Sequence, residues 1–163
     1  MAGEQAESRG QIDRALNHFK LCVEYMPKES KYIQAFKRIE AKVSEEKAQS
    51  LWTEAELLFN SADSIQKQVA LDIFKEACTL SPTERRLMTY TQYSMEFDLV
   101  DEVILLLHQA HKKAPMNLEY MWLLCQCYEQ KKSLAETQKY MELILSLDPS
   151  EPRALRLKKR YRF

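Results

Sequence analysis

The chain repeats one spacing: a small or apolar residue, a larger apolar residue four positions on, another small or apolar residue after three more, and a proline five beyond that. It reads Ala15, Phe19, Cys22, Pro27, and returns as Ala70, Phe74, Ala77, Pro82. The third and fourth occurrences are Val103, Leu107, Ala110, Pro115 and Thr137, Met141, Ile144, Pro149. Steps of four and three put the first three residues on one helix face, and the proline ends the helix just beyond because its ring restricts the residue before it. The last three prolines are 33 and 34 residues apart. A helix recurring at that period is one arm of a stacked hairpin, which buries its apolar face against its neighbours rather than within itself. Such stacking builds a binding surface more readily than a reactive centre.

Composition agrees with an all-α fold. Only two glycines occur among 163 residues, Gly3 and Gly10, too few for a sheet protein with tight turns. With 45% hydrophobic and 29% charged residues the chain has the make-up of a globular protein. No apolar run approaches the roughly 18 residues of a membrane span, and the N-terminus lacks an apolar signal core. Cys22, Cys78, Cys125 and Cys127 all fall within predicted helices and read as buried thiols, which predicts a reduced, cytoplasmic setting.

The second-helix residues above resemble those of the tetratricopeptide repeat (TPR) family, which places Ala, Phe, Ala and Pro at this spacing. In the family's first helix a large residue is followed by Leu-Gly and then Tyr. The segment from Leu118 is similar, with Met121, Leu124, Cys125 and Tyr128, a small cysteine standing in the glycine place. The segment from Glu84 departs from the pattern, with Met88, Thr91, Gln92 and Met95. The resemblance covers most of residues 10–152. It implies a right-handed superhelix of antiparallel hairpins, and a concave groove, lined by first helices, that holds a protein or peptide segment.

Carried onto this sequence, the groove positions fall on Trp52, Ala55 and Phe59, then on Arg86, Thr89, Tyr93 and Glu96, then on Glu119, Trp122, Gln126 and Glu129. Trp52, Phe59, Tyr93 and Trp122 would make an aromatic floor, and aromatics with Arg most often dominate binding energy. Arg86, Glu119, Arg153 and Arg156 would add specificity. The bland alternative for Trp52 and Phe59 is repeat core. The carboxylate clamp of some TPR proteins does not carry over, because Trp122 or Thr89 takes the place of its Lys, and Gln126 or Tyr93 that of its Asn.

Three segments are expected. Residues 1–29 read as a partial N-terminal repeat with its second helix only, since residues 1–9 offer just Ala2 and Ala6 as weak apolar residues. That suggests a C-terminal piece of a longer repeat protein. It also leaves Ile12, Leu16, Phe19 and Val23 uncovered, which predicts a homodimer through this face. Residues 30–62 contain no proline or glycine and read either as one helix, about 45 Å long at ~1.5 Å per residue, or as two helices broken near Ser44. One helix is favoured, acting as a spacer. Residues 63–163 form the array, with helices near 65–80, 83–96, 100–113, 117–130, 134–147 and 151–161. The last helix is a cap with Ala154, Leu155 and Leu157 turned inward.

Net charge is zero, with 24 basic and 24 acidic residues, but six of the basic ones crowd into residues 153–163 beside no acid. That leaves 18 basic against 24 acidic in the rest. An anion site for RNA on the C-terminal helix is the alternative function; a solvated cap is the simpler reading of a short basic run. No phosphate loop, nucleophile turn or paired cysteine motif is present, so no enzyme activity and no cofactor is expected. His108 and His111 lie three apart on one helix, yet no third or fourth ligand accompanies them, so no metal site is expected. Glu45-Glu46 and Asp101-Glu102 read as solvated helix starts.

Overall fold

The computed structural model describes residues 2–61 and 63–162, and every regular element among them is an α-helix. They run α1 Ala2–Ser8, α2 Ile12–Tyr25, α3 Ser30–Phe59, α4 Ser64–Leu80, α5 Glu84–Glu96, α6 Val100–Lys113, α7 Leu118–Gln130, α8 Leu134–Leu147 and α9 Pro152–Tyr161. The starts of α5, α7 and α9 lie one residue inside the expected ones and that of α4 one residue before, and in each case the preceding side chain caps the helix. Asp63 accepts from the Ile65 amide, Thr83 from Arg86, Asn117 from Tyr120 and Glu151 from Arg153. Pro152 occupies the first turn of α9, where its missing N–H costs nothing.

From α3 onward the helices pack in antiparallel succession. The spaced residues Ala70, Phe74 and Ala77 of α4, Val103, Leu107 and Ala110 of α6, and Thr137, Met141 and Ile144 of α8 are all buried. Complete burial of a ring such as Phe74 stabilises the fold by roughly 1.5–3 kcal/mol. Small residues let the helices approach: Cys125 is fully buried and its thiol donates to the Thr137 carbonyl oxygen at 3.4 Å. Asp98 and Lys132 take left-handed backbone conformations, φ 58° each, in the turns after α5 and α7.

Within the stretch 30–62 runs one helix of 30 residues, Ser30–Phe59, with no break near Ser44. Ala62, the last residue of that stretch, lies outside the described residues, as do Met1 and Phe163. Helix α3 serves two cores. Tyr32, Ala35 and Ile39 join Phe19 and Ala15 of α2 in a small N-terminal core, whereas Ala48, Trp52, Ala55 and Phe59 join the large core of the array. Ile39 and Ala48 are nine residues apart, two and a half turns at 3.6 residues per turn. The two cores therefore sit on opposite faces of α3. Between them Glu40, Ala41, Lys42, Glu46 and Lys47 are exposed.

The N-terminus differs from the expectation of a second helix alone. Residues 2–8 form α1, which packs on α2. Its apolar content is small, but smallness is what brings it close: a Cβ on Gly3 would lie 3.0 Å from the Phe19 ring. Glu7 pairs with Arg38 of α3 at 2.6 Å. Phe19 and Ala15 are accordingly buried, and Ile12, Leu16 and Val23 half-buried, so the face expected to seek a second copy is largely covered within the chain.

Candidate functional site

The sequence-derived groove residues fall into two clusters. The first lies between α3 and α5, where Glu45, Gln49, Trp52 and Glu56 face Thr83, Arg85, Arg86, Thr89 and Tyr93 across a hollow of about 490 Å³. The four α3 residues recur at steps of four, three and four, one stripe along the helix. The second cluster lies between α7 and α9. There Trp122, Gln126 and Glu129 face Arg153, Arg156, Leu157 and Arg160 around a hollow of about 250 Å³. The expected four-aromatic floor is thus divided.

Trp52 and Phe59 belong mainly to the core, each 8% exposed. The Trp52 ring lies 4.5 Å from that of Phe74, and its indole N–H donates to Glu56 at 3.0 Å, so only its polar edge reaches the hollow. Phe59 stacks on Tyr93 at 3.9 Å and meets Phe74 and Phe97 edge-on at 6.1 Å. It lines neither hollow; it is the support beneath Tyr93. Tyr93 remains half-buried, and Thr89 and the exposed Arg85 complete the α5 wall.

Arg86 was expected to meet a ligand. Instead it is 5% exposed and fully engaged within the chain. Its guanidinium donates to both carboxylate oxygens of Glu45, at 2.7 and 2.8 Å, and to Gln49 and the Ser81 carbonyl oxygen at 3.1 Å. The Ser81 hydroxyl also donates to Glu45. These bonds hold the Glu45 carboxyl at a pKa of about 2, well below the usual range. Glu45 is therefore no solvated helix start but the mid-helix partner of a two-pronged bridge between α3 and α5. Sequence reasoning missed it, and the available signal was the stripe Glu45, Gln49, Trp52, Glu56 itself.

On the other side Glu119 is likewise occupied, accepting from Arg153 at 2.9 and 3.2 Å. Arg153 also donates to Glu151 at 2.6 Å and lies over the Trp122 ring, 5.0 Å from its centroid. Arg160 and the Tyr161 hydroxyl both donate to Glu129, at 2.6 and 2.9 Å. Gln126 lines the same hollow. Ala154 and Leu157 point inward as expected, but Leu155 is 45% exposed, because at about 100° per residue it turns off the face those two share. Arg156 is exposed and has no ion pair among the described residues.

Cys78, Cys125 and Cys127 have thiols pushed up to about 12 by burial, so they are inert as nucleophiles. His108 is held between two phenols, Tyr128 at 2.9 Å and Tyr140 at 3.3 Å, with His111 beside the same Tyr140 ring. No group of three or more potential metal ligands occurs among the described residues. No described helix is long and apolar enough to cross a membrane.

Neither a family model nor a curated protein matches this chain in sequence. In structure it is similar to MamA protein, whose crystal structure aligns with a TM-score of 0.50 over 93% of this chain and 91% of that one. Identity across that alignment is 14%, so the likeness is one of fold: a succession of helical hairpins. MamA is among 18 solved chains that match.

Proposed function

We propose that this protein is a non-catalytic interaction scaffold, cytoplasmic, that binds an extended segment of another protein along the first helices of its array. The observation that supports this best is the hollow between α3 and α5. It has a half-buried aromatic, Tyr93, backed by the Phe59 and Phe74 rings, and it is rimmed by Arg85 and Thr89, which offer polar groups to a partner's backbone or side chains. An aromatic anchor on rigid support with an adaptable polar rim is the arrangement that concentrates binding energy. Trp122 supplies a second apolar contact two helices further along. The RNA reading has less behind it, because Arg153 and Arg160 already spend their charge on Glu119, Glu151 and Glu129.

The test is selection of a random peptide library against the full chain, followed by titration of a synthetic consensus peptide. Thr89→Glu and Arg85→Glu change the rim without touching the core. Either is expected to weaken the peptide at least about fivefold, and Trp122→Ala about tenfold, roughly the 1–1.4 kcal/mol of a good contact. Helical content by circular dichroism should stay unchanged. A peptide whose affinity ignores all three substitutions would place its site elsewhere and end this reading.

A further inference from the structure

The basic ridge of α9 carries three arginines in one row, Arg153, Arg156 and Arg160, at steps of three and four. The outer two are matched by acids of the chain itself, Glu119 and Glu151 for the first and Glu129 for the last. The middle one, Arg156, is not, although it lines the same hollow with Trp122 and Leu157. Nothing in its own helix supplies a partner, because residues 153–163 contain six basic residues and no acid. The hollow has an apolar side, formed by Leu157 and the Trp122 ring that Arg153 holds in place.

From this charge pattern we infer that the α7–α9 hollow recognises an acidic protein segment, in which one carboxylate pairs with Arg156 and an adjoining apolar side chain enters beside Trp122 and Leu157. Glu119 and Glu129 have a positive part in this arrangement. By fixing Arg153 and Arg160 they leave one guanidinium presented in the middle of a preorganised frame, which lowers the ordering cost of binding. A short acidic segment fits better than a nucleic acid. The hollow is about 250 Å³, and residues 1–152 hold 18 basic against 24 acidic residues, so there is no wide cationic face to follow a polyphosphate. Lys158 and Lys159 on the same helix and Arg162 just beyond its end, all exposed, add long-range attraction for the same partner.

This inference rests on the scaffold reading and names the partner chemistry of one end of it. The full chain is panned against a library of random 12-residue peptides, and the consensus peptide, labelled with fluorescein, is titrated by anisotropy at 50 and 300 mM NaCl. Wild type, Arg156→Glu and Arg85→Glu are compared, with a labelled 12-nucleotide single-stranded RNA as a second probe. The expected consensus has Asp or Glu next to an apolar residue. Its binding should fall at least tenfold in Arg156→Glu and severalfold at the higher salt. A consensus without acids that is lost in Arg85→Glu but not in Arg156→Glu overturns the inference and leaves the scaffold reading standing. Recovery of no binding peptide sinks both. RNA binding tighter than the peptide's and lost in Arg156→Glu would replace the acidic segment with a nucleic acid.

Discussion

Replacing Glu45 with alanine tests the bridge that closes the α3–α5 hollow. The Arg86 side chain is 6% exposed and would keep only two neutral acceptors, Gln49 and the Ser81 carbonyl oxygen. Removing one partner of a fully buried pair costs about 3–5 kcal/mol, because the other charge is left uncompensated. Here the carboxylate end is 47% exposed, so water takes over part of its role and solvent already screens the attraction. The expected loss is about 2 kcal/mol, or a fall in Tm of about 4–8 °C for a domain of this size. The double variant Glu45→Ala/Arg86→Leu should recover more than half of it, since no stranded charge remains. The Glu45 carboxyl titrates at about 2 when folded, against 4.5 in its ordinary state. A carboxyl depressed on folding contributes stability that is complete above the unfolded value and disappears as pH falls through the folded one. Wild type should therefore lose its advantage over Glu45→Ala between about pH 4.5 and 2. Urea melts followed by circular dichroism read all of this. A single variant within about 0.5 kcal/mol of wild type at pH 7, or a double variant as unstable as the single, would refute the reasoning.

Three further outcomes are expected. Ala110→Arg forces a long charged side chain into a position 5% exposed on the inner face of α6 and should destabilise the array by several kcal/mol; an unchanged Tm would mean the packing register is wrong. The imidazole of His108 has its pKa lowered by burial, and by His111 and Lys139 nearby, with Tyr128 and Tyr140 packed against the ring. The unfolded chain then takes up its proton first, so this residue's contribution is whole above about pH 6.5 and declines as pH falls below it. Melts of wild type and His108→Gln between pH 7.5 and 5.5 should converge, and parallel curves would dismiss the effect. Gly3→Val drives a side chain into the Phe19 ring and should cost about 1–3 kcal/mol. Hydrogen exchange should show the loss confined to residues 2–39, and loosening of α6–α8 would contradict the separation of the two cores.

Much of the helical architecture could be read from the sequence because its signals are local. Prolines at 82, 115 and 149 end α4, α6 and α8, and the absence of any breaker between Ser30 and Phe59 leaves α3 whole. What could not be read depends on encounters between distant residues. Arg86 sits where a groove position was expected, but Glu45, 41 residues earlier, reaches it and turns it into a brace. Glu119 is occupied in the same way, held by Arg153, 34 residues later. Phe59 carries the right residue type for a binding floor, yet Phe74 and Tyr93 enclose it. Helix α1 has little apolar signal in the sequence, because Gly3 and Ala6 pack through closeness rather than bulk.

The two-sided use of α3 makes the length of its middle matter more than its composition. Each residue added or removed between Ile39 and Ala48 turns one core about the helix axis by roughly 100° relative to the other and shifts it by roughly 1.5 Å. Apart from Glu45, from Val43 at the edge of the small core and from Lys47, which pairs with Glu76 at 3.1 Å, the side chains there are free to drift. Their number is not free. One alanine inserted after Ala41 should leave the melting of the array almost untouched and yet change the scattering profile of the whole chain. Five whole turns, about 18 residues, should lengthen the particle while restoring the original angle between its halves. This segment works as an axle, whose phase is set by counting residues.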